Sequence, residues 1–275
     1  MLVKLHIELI KLLRKSRTYI GPIAMTCLVV LMLIAMKYGH ETRHMQERLS
    51  EEFIISGSLV NAVFLARFML LEFVVYMFLP LFSCMVFGDL LASEAADGTL
   101  RTLLCRPVTR IGVFISKFLT GVMYVTALVF GTGLIAYILG AIFLGRGSLF
   151  NFTNGIWVLP EKTAILRLLL AYGLITVGMI AVGSISFAIS TFLSNSNGAI
   201  AGAMGIVIFS SIIGQIEYFS SLRPYLLTTY LQVGGFFTDK VDVQLLTKSL
   251  GVMLAYSVVS LVIGMIIFHR RDVLS

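Results

Sequence analysis

GVMYVTALVFGTGLIAYILGAIFL, residues 121–144, holds no acidic, basic or histidine side chain. Coiled as an α-helix at about 1.5 Å per residue, such a run exceeds the roughly 30 Å hydrocarbon thickness of a bilayer. Inside lipid the backbone has no water to bond, and a helix satisfies its own N–H and C=O groups. The stretch therefore reads as a membrane span, with boundaries near 113–144. Five further runs read the same way: 18–36, 62–88, 164–192, 199–216 and 249–268. Composition agrees. The chain of 275 residues is 58% hydrophobic and 13% charged, where soluble domains hold about 45–50% and 25%. Its mean hydropathy is +0.97. The fold class expected is an all-α membrane protein, with residues 1–275 forming one transmembrane domain of six helices.

The first span follows a basic stretch, as a signal peptide would. It has no small-x-small cleavage site and its apolar run is too long for a signal core, so it reads as retained. Cys27 and Cys84 lie in apolar runs and Cys105 in a polar loop. An odd number at irregular spacing gives neither a disulfide framework nor a metal knuckle. The formal net charge of +7 is what basic span ends facing anionic lipid produce. Membrane lipid is thus an expected partner and nucleic acid is not.

Lysines and arginines near span ends set orientation. Lys4, Lys11, Arg14, Lys15 and Arg17 precede the first span. Arg101, Arg106, Arg110 and Lys117 lie between the second and third, and Arg270 and Arg271 follow the last. The overall count is nearly balanced between the two sides, but these three clusters share one side when six spans are crossed. That side is expected in the cytoplasm, with both termini there and the chain in the cell membrane. In residues 1–17, Lys4, Glu8, Lys11 and Lys15 form one polar stripe at helical spacing, and Leu2, Leu5, Leu9, Leu12 and Leu13 cover the other face. A basic, leucine-backed helix of this kind lies in the interface plane. Gly21-Pro22 is the expected turn or kink into the first span.

The long polar interruption GDLLASEAADGTLRTLLCRPVTRIGVFISK, residues 88–117, has its own logic. Asp97-Gly98-Thr99 is a turn followed by a helix start. Leu100, Leu103 and Leu104 fall on one small face, and Pro107 bars continuation. Leucines rimmed by Arg101, Arg106 and Arg110 either dock a soluble partner or pack on the loop's own neighbours. Glu94, Gly98-Thr99-Leu100, Leu103-Leu104, Pro107-Val108, Arg110 and Lys117 match E-x-x-x-G-T-L-x-x-L-L-x-x-P-V-x-R-x(6)-K. In these residues, in the ending Phe268-His269-Arg270-Arg271-Asp272, and in a helix before six spans, the chain resembles the type-2 ABC-transporter permeases. The resemblance implies an interfacial elbow helix at the N-terminus. It also implies a coupling helix between spans two and three, which docks into a separate ABC ATPase subunit. It implies two permease chains, alike or different, with substrate passing between them. Arg101 stands where that family commonly has an acidic or amide residue, and Cys105 where it has a small hydroxyl residue; neither is on the leucine face.

The chain has no G-x-x-x-x-G-K-[ST] loop to cradle phosphates. ATP and magnesium are therefore expected in the partner, and no enzymatic activity or cofactor in this chain. Gly131, Gly133, Gly140, Gly178, Gly183, Gly202 and Gly205 lie inside spans, where glycine allows close helix approach. The function this reading predicts is that of a permease subunit coupling a partner's ATP hydrolysis to substrate movement, in the export direction. Arg67, Glu72, Arg167 and Glu217 are ionisable groups at or near membrane depth and are the candidate substrate path; snorkelling of Arg67 and Arg167 is the plainer account. Residues 218–248 read as two short helices over the outer mouth. Ser194-Asn195-Ser196-Asn197-Gly198 reads as a second, smaller contact with the ATPase.

One motif competes. His40-Glu41-Thr42-Arg43-His44 spells H-E-x-x-H, which on a helix places His40 and His44 on one zinc and leaves Glu41 as general base. A zinc protease also needs a third ligand, an apolar wall and a cleft. Glu47, Glu51 and Glu161 are acidic but none is singled out, and Arg43, Glu47, Arg48, Glu51 and Glu52 make a charged surrounding. A solvated glutamate-rich helix is the expected reading. A membrane zinc metalloprotease is one alternative, and a membrane scaffold that docks an ATPase without carrying substrate is another.

Overall fold

The computed structural model describes residues 2–38, 60–70, 74–96, 98, 109–151, 157–193, 195–237 and 243–270. Among them, six helices are long and apolar enough to cross a bilayer: Ser16–Tyr38, Val74–Ala96, Arg110–Phe143, Glu161–Phe192, Ser196–Gln215 and Val243–Arg270. Helix α1 (Leu2–Arg14) precedes α2 (Ser16–Tyr38). A short α3 (Ala62–Phe68) follows, then a π-helical turn Val74–Phe78 leading into α4 (Leu79–Ala96). Helices α5 (Arg110–Phe143) and α6 (Glu161–Phe192) flank a small hairpin. Its strands β1 (Leu149–Asn151) and β2 (Trp157–Leu159) are antiparallel, with Phe150 opposite Val158. Helices α7 (Ser196–Gln215) and α8 (Val243–Arg270) complete the set.

The first and the third to fifth spans start and end within three residues of the apolar runs that predicted them, and the sixth begins six residues earlier, at Val243. The second departs further. Its predicted start, 62–70, is instead the separate helix α3. The Asn61 side chain accepts a bond from the Phe64 N–H at its N-terminus, and turns at Met69 and Leu70 close it. Its predicted end at 88 is overrun by eight residues, through Asp89, Ser93 and Glu94 to Ala96. Those polar groups stay helical because cations on other elements neutralise them.

The core lies where α4, α5 and α6 meet. In the second span 72% of the most apolar stretch is buried, against 17% in α8, so the former is interior and the latter peripheral. Phe87 is fully buried between α5 and α6 and stacks at an edge on Phe187. A Cβ on Gly183 would lie 2.2 Å from its ring, and one on Gly121 2.5 Å, so both neighbours must be glycine for the three helices to close. Gly131 and Gly205, by contrast, meet nothing within 4 Å. Hydroxyls inside the bundle bond to carbonyls: Ser83 donates to Met179 O at 2.7 Å and Ser186 to Cys84 O at 2.9 Å. This satisfies polar groups where water is absent.

The expected turn at Gly21-Pro22 falls elsewhere. The chain breaks between α1 and α2 at Lys15, and Pro22 sits inside α2. Proline lacks the N–H that would reach back four residues to the Thr18 carbonyl. The buried Tyr124 hydroxyl of α5 donates to that carbonyl instead, at 3.0 Å. The missing helical bond is thus replaced from a neighbouring helix.

Where two short helices are expected over 218–248, the described residues up to 237 form three 3₁₀ segments, Glu217–Tyr225, Leu227–Leu231 and Gly234–Phe237, and those from Val243 on already belong to α8. Leu227, Tyr230, Leu231, Phe236 and Phe237 are buried, so the second and third segments fold back into the bundle, while Glu217–Tyr225 buries no residue.

Candidate functional site

Both described termini, the end of α4 and the start of α5 share one end of the bundle. There a buried ionic junction joins α1, α4 and α5. Lys117, two turns into α5, is fully buried. Its Nζ lies 3.0 Å from Glu8 Oε2 and 2.8 Å from Glu94 Oε2. Lys11 closes the other side, 3.3 Å from both Glu8 Oε1 and Glu94 Oε1. Just past the end of α1, Lys15 contacts Asp89 Oδ2 and Ser93 Oγ, each at 2.8 Å. From Lys11 to Lys15 the chain thus steps from Glu94 back to Asp89 on α4. Arg17 Nη1 lies 3.6 Å from Asp89 Oδ1, and Ser196 at the start of α7 donates to the same oxygen at 3.0 Å.

A charge at this depth is costly unless paired. Here each of three carboxylates faces two cations. Partial burial disfavours the charged form of Lys11, but the carboxylates of Glu94 and Glu8 outweigh it and hold its pKa above the ordinary lysine value. With the folded value raised, the stabilisation is complete below the ordinary lysine pKa and is lost only as pH climbs through the raised one. Lys11 is therefore charged throughout the physiological range.

Glu94 and Lys117, the first and last residues of the quoted motif, therefore meet directly. Gly98 has φ of +68°, and its N–H bonds to Ala95 O. This left-handed residue ends the α4 helix as a C-terminal glycine does. Arg110 Nη1 donates to His269 O at 3.1 Å, tying the start of α5 to the end of α8. Thr99, Leu100, Leu103, Leu104 and Pro107 lie outside the described residues, as do Glu72, His40, Glu41 and His44.

At the opposite end, Arg67 stands over the Phe237 ring at 4.9 Å, and Arg167 donates to Phe236 O at 3.4 Å. Two arginines from α3 and α6 thus converge on one 3₁₀ segment. Glu217 is exposed at the start of Glu217–Tyr225 and makes no ion pair with either among the described residues.

Sequence reading missed Asp89 and the role of Glu8. The sequence predicts α1 as a helix in the interface plane, with its polar stripe on one face and leucines on the other. In the structure Glu8 and Leu12 are buried together, while Ile7, Ile10 and Leu13 are exposed. The stripe faces the bundle because its partners, Asp89, Glu94 and Lys117, are there. The available signal was an excess of carboxylates at the end of an otherwise apolar helix.

Six helices of spanning length and polarity define a multi-pass membrane protein. The chain belongs to the family described as "Protein of unknown function (DUF2705)", whose model matches residues 23–274. No curated protein matches it.

Proposed function

We propose that this chain is the membrane-spanning subunit of an ATP-driven transporter of the type-2 ABC permease class. In this reading α1 is an interfacial elbow helix, both termini are cytoplasmic, and the chain sits in the cell membrane. Residues 99–108 carry the coupling helix, which seats Leu100, Leu103 and Leu104 in a separate ATPase subunit. ATP and magnesium bind that subunit. Closure of its dimer displaces the coupling helices, and rigid-body tilting of the spans switches access.

The observation that supports this most is the pairing of Glu94 with Lys117 at 2.8 Å. The two motif residues that flank the loop hold its base closed. Through Glu8 and Lys11 they bind it to α1. A push on such a loop is delivered to three helices together rather than absorbed by bending. Helices α2, α7 and α8 are mostly exposed in the single chain, which leaves apolar faces for lipid and for a second permease chain. Arg67 and Arg167 mark the outer end of the path, where an anionic group of a substrate would meet them.

A photo-crosslinking residue at position 103 tests the docking. It is expected to capture a polypeptide bearing a G-x-x-x-x-G-K-[ST] loop, identified by mass spectrometry, and to lose it when Leu100 and Leu104 are both changed to Asp. Capture that survives both charges, or no nucleotide-binding polypeptide at all, overturns the proposal.

A further inference from the structure

A cleft of about 360 Å³ opens between α1, the start of α2 and the Val74–Ala96 span, and the ionic junction, with Glu8, Lys11, Glu94 and Lys117, forms part of its lining. Its charged rim and its floor differ. Arg14, Lys15 and Arg17 stand at the α1–α2 break, while Leu12, Val86 and Leu90 line the wall. The carboxylates there are already engaged: Glu8 and Glu94 with Lys11 and Lys117, Asp89 with Lys15 at 2.8 Å. Arg17 reaches Asp89 only at 3.6 Å. No carboxylate among the described residues pairs with Arg14. The rim therefore carries cationic donors beyond those its own acids satisfy.

A second feature runs away from the rim. On α2 the residues Arg17, Ile20, Ile23 and Cys27 follow at helical spacing and are all exposed, Ile23 at 65%. Neighbours three and four apart share one face, so Ile20, one turn beyond Arg17, opens an apolar strip that runs with Ile23 and Cys27 along the outer side of α2, away from the buried Thr18, Gly21 and Met25. A cationic pocket beside an apolar strip at the membrane surface matches a ligand with an anionic head and a hydrocarbon tail. Basic pockets between membrane helices take phosphorylated lipid headgroups in this way, and arginine's planar fork suits two phosphate oxygens.

We propose that this cleft binds an anionic glycerophospholipid, with the headgroup phosphate on Arg14 and Arg17 and an acyl chain along Ile20, Ile23 and Cys27. The assignment does not depend on an ATPase partner. The shared chemistry with free phosphate is separated by the tail: the strip on α2 has no role for an inorganic ion.

The test titrates phosphatidylglycerol, phosphatidylcholine or inorganic phosphate into the full chain in mild detergent and follows thermal unfolding. Phosphatidylglycerol is expected to raise the melting temperature saturably, and the other two to give little. Each arginine near an anionic membrane contributes about fivefold in binding. Arg14→Gln plus Arg17→Gln should therefore weaken the apparent affinity roughly 25-fold. Arg14→Gln alone should weaken it about fivefold, which keeps the test decisive if the double variant does not fold. Lys162→Gln, at the start of α6 and the opposite end of the bundle, should bind as the native chain does. Equal stabilisation by the two lipids, full stabilisation by inorganic phosphate, or undiminished affinity in Arg14→Gln each overturns the proposal.

Discussion

Replacing Lys117 by Met removes the cation at the centre of the junction while keeping the stem's volume. Two contacts vanish, at 3.0 Å to Glu8 and 2.8 Å to Glu94. At an effective dielectric constant near 20, each is a gross attraction of about 6 kcal/mol. Most of that is offset by the desolvation of the three groups, so the gross sum is not the effect. What the variant leaves behind decides the outcome: two buried carboxylates short of a partner. Breaking a buried pair in this way costs about 3–5 kcal/mol. Lys11 still lies 3.3 Å from each carboxylate, which places the loss near the lower end, about 3 kcal/mol. For a chain of this size that is a fall in melting temperature of roughly 6–12 °C, read by thermal unfolding of the purified protein in detergent. The triple variant Lys117→Met, Glu8→Gln, Glu94→Gln should recover more than half, because the uncompensated charges are gone. A Lys117→Met protein as stable as the native one, or one that the two glutamines fail to rescue, refutes the claim that the junction is held by these charges.

Tyr124→Phe leaves the Thr18 carbonyl without either its helical partner or the hydroxyl that replaces it, and should cost about 1–3 kcal/mol in the same melt. Pro22→Ala should lower that penalty in the double variant by restoring the N–H. Gly98→Ala forces a Cβ into the left-handed region at φ +68° and should cost about 1 kcal/mol, with loosening confined to the end of α4 by hydrogen exchange. Asp89→Asn should cost less than Lys117→Met, because Lys15 and Arg17 are partly exposed and can turn to water. Its deficit should shrink in high salt, which screens exposed groups first.

Uninterrupted apolar length is a local property, which is why α2, α5, α6, α7 and α8 could be read off the chain. The second span could not. AVFLARF at 62–68 is as apolar as a span, and what ends it is a short capped helix rather than a change in hydropathy. Past residue 88 the helix survives three polar residues only because Lys15, Lys11 and Lys117 arrive from elsewhere, and such pairing over some 25 to 80 positions leaves no local trace. Glu94 and Lys117 were legible through their motif. Glu8 is legible as part of a polar stripe, but a helical stripe does not say on which side the bundle lies. Asp89 falls in the polar interruption 88–117 and outside the motif, so nothing in the sequence singles it out. The 3₁₀ segments and the hairpin arise where short, mixed sequences are held by contacts with the bundle, so their pattern carried no period to read.

The most direct measurement of the central claim is nucleotide hydrolysis by material purified through a tag on this chain from its native membrane. The account predicts ATP hydrolysis in fixed proportion to the chain, inhibited by vanadate and absent from the Leu103→Asp, Leu104→Asp variant. A chain recovered intact with no hydrolysing companion, or a companion that stays bound to that variant, contradicts it.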